Sequence, residues 1–166
     1  MTAKDIIERL GLKPHPKEGG FFREIYRADE SISRCLPNRY GANARCFSTA
    51  IYYLLTPETF SRMHRLKSDE VFHFYLGDPV KMLRLFDDGH SHTVILGNDL
   101  DKGFEPQVVV PKGVWQGAML MEGGAFALLG TTVAPGFEYE DYHEGVREEL
   151  ISGYPDQKAL ITRLTK

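Results

Sequence analysis

The sequence predicts a mainly β protein, an antiparallel sandwich or barrel bracketed by helices, on three observations. About nine short stretches rich in aromatic and β-branched residues follow one another through the middle of the chain. Turn signals separate them at close intervals: GDP at 77–79, DDGH at 87–90, PKG at 111–113 and EGG at 122–124. Helical periodicity is confined to the two ends, which argues against alternating βαβ units.

Taken in order, TAKDIIERLG reads as a short helix. Thr2 supplies an N-cap, Ile6, Ile7 and Leu10 share one face, and Gly11 is the stop. KPHPKEGG then carries two prolines and two glycines and is irregular. The strands expected next are FFREIYRA (Phe21–Ala28), CFSTAIYYLL (Cys46–Leu55), TFSRMHRL (Thr59–Leu66), EVFHFYLG (Glu70–Gly77) and VKMLRLF (Val80–Phe86). HTVILG, PQVVVP, WQGAMLM and AFALLGTTVA continue the series. Beyond Pro135, DYHEGVREELISGYPDQKALITRLTK reads as one or two helices, with Asp156 as an N-cap and Ala159, Leu160, Ile161 and Leu164 as an apolar face. Those helices are expected to cover a sheet or a subunit interface.

A chain of 166 residues, 42% hydrophobic and 26% charged, is expected to fold as one domain, 1–166, with a substantial core. A net charge of −3 with scattered basic residues argues against nucleic acid as a partner. The longest apolar runs, such as Ala50–Leu55, are too short for a bilayer, and MTAKDIIERLGL lacks the apolar stretch of a signal peptide. Cys35 and Cys46 are expected as free thiols, and the location expected is a reducing cytoplasm.

Strand parity sorts the side chains of HRLKSDEVFHFYLG, His64–Gly77. Glu70, Phe72, Phe74 and Leu76 share one face; Val71, His73 and Tyr75 share the other. In a regular preceding strand Arg62, His64 and Leu66 line up, and a turn at KSDE brings His64 and Glu70 to one interior. A bulge near Ser68–Asp69 would turn His73 inward instead.

The same stretch resembles the first motif of the cupin superfamily, two histidines followed by a glutamate and then a glycine. Glu70 and Gly77 keep that last spacing, His64 takes the first histidine position, and Leu66 replaces the second. PKGVWQGAML resembles the second motif, with Pro111 and Gly113 in register and Gln116 in the place of histidine. The match is closer to the small-protein family known as the fifth cupin family. PHPKEGGFFRE, STAIYYLL, SDEVFHFYLGDP, VPKGVWQGA and APGFEYEDY follow its pattern in order across nearly the whole chain. The resemblance implies an antiparallel double-stranded β-helix, the cupin jelly-roll barrel, usually dimeric, with no settled reaction.

A typical cupin metal is held by three histidines and a glutamate. Here His64 and Glu70 remain, and Gln116 offers only a neutral amide, a weaker ligand for first-row metals than imidazole. A metal-free pocket is therefore the leading expectation, with a divalent metal on His64, Glu70 and Gln116, or His73 in its place, as the alternative. The leading function is an isomerase- or epimerase-like enzyme moving protons on a small polar, sugar- or nucleotide-like metabolite, with His64, Glu70 and Tyr52 catalytic. By analogy with metal-free cupins that epimerise sugar nucleotides, His64 would be the base and Tyr52 or Tyr75 the acid. Arg23, Ser48, Phe72, His73, Trp115 and Gln116 are the candidate ligand contacts. The competing readings are a metal-dependent cupin enzyme and a non-catalytic metabolite-binding module.

Each candidate also has a structural reading: a satisfied core histidine for His64, a turn-closing ion pair for Glu70, ring burial for Trp115. The segment HPKEGGFFRE clusters His15, Glu18, Arg23 and Glu24 around two glycines. It is either a structural turn with an ion pair or a loop folded over the pocket, with Arg23 facing an anionic group on the ligand.

Overall fold

Thr2 opens the first helix, α1 (Ala3–Leu10), by a reciprocal cap: its hydroxyl accepts the Asp5 N–H, and the Asp5 carboxylate accepts the Thr2 N–H. Gly11 closes it in the left-handed conformation at φ 61°. The structure, a computed structural model, describes residues 1–166. After α1 come β1 (Lys13–Pro14), β2 (Phe21–Arg27), β3 (Ser31–Ile32), β4 (Arg45–Cys46), β5 (Thr49–Leu55), β6 (Phe60–Leu66) and β7 (Asp69–Gly77). Then follow β8 (Val80–Leu85), β9 (Ser91–Leu96), β10 (Gln107–Val110), β11 (Trp115–Leu120), β12 (Ala127–Ala134) and β13 (Tyr142–Glu144). Two helices, α2 (Arg147–Gly153) and α3 (Lys158–Leu164), end the chain.

Two antiparallel sheets face each other. One runs β1-β2-β5-β12-β7-β10 and the other β13-β6-β11-β8-β9, while β3 and β4 form a separate pair. Side chains from alternate positions of both sheets fill the space between them, among them Tyr53, Leu55, Phe72, Phe74, Met82 and Leu129. Burying each contributes roughly 1.5–3 kcal/mol, which makes this layer the main source of stability. On the outside, Leu150, Ile161 and Leu164 of the C-terminal helices pack against Met63, Leu83 and Leu85. Ile6 of α1 covers Leu54 and Leu128 of the other sheet.

The mainly β jelly roll with terminal helices is as expected, but two local readings are corrected. Tyr142–Glu144 is not helical; it pairs with β6 from Leu66 back to His64. Asp156 does not cap a helix, because a 3-10 turn over Pro155–Gln157 runs straight into α3, whose start has no side-chain cap. Both cysteines are free thiols, Cys35 exposed and Cys46 buried. No helix is long and apolar enough to cross a membrane.

Candidate functional site

Two irregularities in the strands build the site. Gln116 pairs with His64 and Ala118 with Ser61, so Arg62 and Met63 together oppose the single residue Gly117. That bulge lets Ser61 and His64, three positions apart, both face the interior. Gly117 permits the close approach, since a Cβ there would lie 2.6 Å from Met63 Sδ. The second bulge lies in β2, where Glu24 pairs with Ile51 but Tyr26 with Ala50. It turns Arg27 inward beside Thr49, on the same side as Phe22 and Glu24.

The segment between β1 and β2 folds back over this end of the barrel. Gly19 and Gly20, at φ 99° and 68°, both take backbone angles that L side chains rarely adopt. A Cβ on Gly19 would run into the Phe60 carbonyl, and one on Gly20 would lie 2.7 Å from the Leu54 carbonyl. The Arg62 N–H donates to the Glu18 carbonyl at 2.9 Å and the Tyr53 hydroxyl to the Gly19 carbonyl at 2.9 Å. Glu18 is thereby carried inside, where Ser61 Oγ donates to its Oε1 at 2.5 Å.

At the centre is His64, 1% exposed. Its Nδ1 lies 2.7 Å from the Arg62 carbonyl, which fixes a proton on that nitrogen and aims Nε2 at the carboxylates. Glu18 Oε2 stands 4.0 Å and Glu70 Oε2 3.9 Å from Nε2. Burial pulls the imidazole pKa down, but the Glu18 and Glu70 carboxylates and the Arg62 carbonyl outweigh it, and the pKa rises to about 9. His64 is therefore an imidazolium at neutral pH. The Gln116 amide nitrogen donates to Glu70 Oε2 at 2.6 Å and lies 3.4 Å from His64 Nε2, a hydrogen bond only while the ring is neutral. The Tyr142 ring stacks on His64 with centroids 4.9 Å apart.

His15 is the opposite case. Its Nδ1 accepts the Glu18 N–H at 2.8 Å, so Nε2 carries the ring proton. Burial pushes its pKa down, against a partial pull upward from Glu18, and the ring stays neutral. His15, Glu18, His64 and Glu70 line a cavity of about 320 Å³, walled further by Thr49, Ile51 and Thr131 and by Phe137–Tyr139.

The structure brings together some of the residues singled out in the sequence and separates others. His64, Glu70 and Gln116 converge, and Phe72 lies on the Glu70 face, deep in the core. Tyr52 does not join them. Thr49, Ile51 and Tyr53 take the inward positions of β5, and Tyr52 sits on the outer face against Tyr75, with ring centroids 6.2 Å apart. Arg23 is also outside, its guanidinium 5.8 Å from the Tyr52 ring; Arg27 faces the cavity instead. His73 lies on the outer face between Thr132 and Gln107, because the turn at Ser68–Asp69 has no bulge to reverse it. Trp115 packs among the C-terminal helices under the Arg65 guanidinium, and parity gives the inward place to Ala118. Ser48 Oγ donates to the Val133 carbonyl and does not line the cavity.

A family model described as "Cupin superfamily (DUF985)" matches residues 4–144. The chain is a cupin. A protein of Saccharomyces cerevisiae named "Uncharacterized protein YML079W" is 30% identical to this cupin over 150 residues, covering 85% of this chain and 74% of the yeast protein. Protein SO0799 from Shewanella oneidensis superposes with a TM-score of 0.88 at 33% identity, over 100% of this chain and 98% of that one. A hypothetical protein from Leishmania major gives 0.87 at 30% identity over 99% of both chains. Oxalate decarboxylase from Bacillus subtilis, in its structure at pH 4.6, shares the fold alone, with a TM-score of 0.55 at 15% identity over 92% of this chain and 37% of that one.

The donor set of this cupin does not fit a divalent metal. No three His, Cys, Asp or Glu side chains stand in metal-holding geometry. Gln116 turns its amide nitrogen, not its oxygen, toward His64 and Glu70, and Oε1 finds no protein partner. An amide N–H held in that position by its bond to Glu70 offers a cation no lone pair.

Proposed function

We propose that this cupin is an isomerase- or epimerase-like enzyme that moves protons, without a metal, on a small polar metabolite bearing a C–H next to a carbonyl. One observation carries the reading: the His64 Nε2–H faces two carboxylates at 4.0 and 3.9 Å, with no protein acceptor at hydrogen-bonding distance. A substrate carbonyl oxygen would accept from Nε2–H, and substrate hydroxyls beside it would donate to the two carboxylates. Glu18 Oε2 accepts no hydrogen bond from the protein, whereas Glu70 Oε2 is held by Gln116, so Glu18 is the base. Its carboxylate takes the proton from carbon, the C–H electron pair forms the C=C of an enediol where that carbon bears a hydroxyl, and the carbonyl oxygen takes the proton of His64. Return of a proton to the neighbouring carbon, or to the other face of the first, gives the isomer or the epimer, as an enediol hydroxyl gives its proton back to His64 and the C=O reforms. His64 thus acts as the acid in this scheme, reversing the role that analogy with metal-free cupins gave it.

The test is proton NMR in D2O with a panel of sugars and sugar nucleotides. Deuterium should replace the hydrogen next to the carbonyl of the true substrate, and Glu18→Gln or His64→Gln should slow that exchange by about 100-fold or more. Tight binding of a panel member with no exchange would favour the metabolite-binding module instead.

We also propose that the protein works as a two-fold dimer through the outer face of the six-stranded sheet. Ile25, Tyr52 and Tyr75 form a shallow apolar depression there with Leu10 and Leu128, and Ile25 and Tyr75 are each 45% exposed. Light scattering should give about twice the chain mass, and Tyr75→Glu should return it to the monomer mass. A wild-type protein that is monomeric at micromolar concentration would remove this reading.

A further inference from the structure

We propose that the cavity selects an uncharged ligand and turns anions away, because its single guanidinium, Arg27, is locked by Glu24 and Glu138. This deepens the reading of the cavity as a substrate site and narrows its ligand class to polyhydroxy compounds without phosphate or carboxylate groups.

Apart from His64, whose charge is set between the Glu18 and Glu70 carboxylates, Arg27 is the cavity residue that would ordinarily recruit an anion. A guanidinium has five N–H donors, and here every nitrogen is engaged. Nε donates to Glu24 Oε1 at 3.0 Å and Nη2 to Glu24 Oε2 at 2.9 Å, a two-pronged pairing. Nη2 also reaches the Phe137 carbonyl at 3.1 Å, while Nη1 reaches Glu138 Oε1 at 2.6 Å and Cys46 Sγ at 3.7 Å. The bulge in β2 makes this possible. Residues three apart in a regular strand face opposite sides, yet here Glu24 and Arg27 share the inner one.

The charge count of the cavity points the same way. Glu18, Glu24, Glu70 and Glu138 line it, against Arg27 and the imidazolium of His64. A phosphate or carboxylate entering there meets an excess of negative charge and a guanidinium already satisfied by two carboxylates. Hydroxyl groups suit the same lining, since each donates to a carboxylate and accepts from an N–H. Nucleotide-linked and phosphorylated sugars are thereby disfavoured against free sugars or polyols.

The test reads anion binding directly, with inorganic phosphate as the probe and chloride holding ionic strength constant. Thermal unfolding of the wild type should not respond to phosphate. The variant Glu24→Ala/Glu138→Ala frees the guanidinium, and its affinity for phosphate should rise about tenfold or more, the effect of one charge-assisted hydrogen bond. Adding Arg27→Met should abolish the gain. The paired side chains are 38–41% exposed, so their loss leaves the fold intact, which circular dichroism checks. Phosphate stabilisation of the wild type equal to that of the double variant overturns the proposal, as does a folded double variant that ignores phosphate. Phosphate has no C–H to exchange, so either result stands apart from the outcome of the deuterium experiment.

Discussion

Replacing Asp141 by alanine should destabilise the protein by about 3 kcal/mol, the lower end of what removing one partner of a buried ion pair costs. Arg45 and Asp141 are 1% and 2% exposed, and the pair is two-pronged, Nε to Oδ2 at 2.7 Å and Nη2 to Oδ1 at 2.8 Å. Without Asp141 the Arg45 guanidinium remains buried. Glu140 at 2.5 Å and the Ala44 carbonyl at 2.9 Å hold part of its charge, which keeps the cost from the upper end. Lys67 Nζ, 3.4 Å from Asp141, loses its partner as well. For a chain of this size the melting temperature should fall by about 6–12 °C. The double change Arg45→Met/Asp141→Leu removes both charges together and should recover most of the loss. A fall of less than about 1 kcal/mol in urea unfolding of Asp141→Ala would mean that the pair contributes no more than an exposed one. The effect reaches the site, because Asp141 anchors the segment that carries Phe137, Glu138 and Tyr139 along the cavity wall.

What the sequence disclosed, and what it withheld, follows from where strands are regular. β7 alternates regularly from Asp69 to Phe74, so parity correctly put Glu70 and Phe72 inside and His73 outside. A bulge at Tyr75 then turns Leu76 to the outer face against Leu128, although unbroken alternation placed it with Phe72. The second cupin motif likewise located Gln116. Parity failed in β2, where one extra residue at the bulge makes Arg27, not Arg23, the inward cation. No residue in FFREIYR announces that bulge. In β6 the same kind of irregularity brought Ser61 inside in place of Arg62, and there Gly117 on the partner strand was a readable sign of close approach. In β5 the run AIYYLL is apolar on both faces, which leaves Tyr52 and Tyr53 indistinguishable by pattern; packing decides for Tyr53. The glycine pair did mark the loop that delivers His15 and Glu18. Its reach across the barrel depends on contacts with Phe60 and Leu54, far along the chain, that no local pattern records. The charge of His64 was hidden for the same reason. It depends on Glu18, which only the folded loop brings within 4.0 Å.

That charge should make folding stability fall as pH rises from about 6.5 to about 9. A histidine whose pKa is raised in the folded state binds its proton more tightly there than in the unfolded chain. The stabilisation is full below the unfolded value, 6.5, and is lost as pH rises through the folded value, about 9. The difference corresponds to about 3 kcal/mol at most. Neighbouring groups do not imitate the effect. Burial lowers the pKa of His15, so its contribution changes with the opposite sign and on the acid side, where stability falls as pH drops below 6.5. Burial raises the tyrosine hydroxyls of Tyr53 and Tyr142, which act only above 10. Urea unfolding at intervals from pH 6 to pH 9.5 should therefore show a decline in the wild type. His64→Gln should be less stable at pH 6 and nearly flat across the window, since no imidazolium remains to be discharged. A flat wild-type profile would mean that His64 is neutral in the folded state, with Gln116 donating to its Nε2. The ring would then be an acceptor, and proton transfer in the cavity would have to run with His64 as the base.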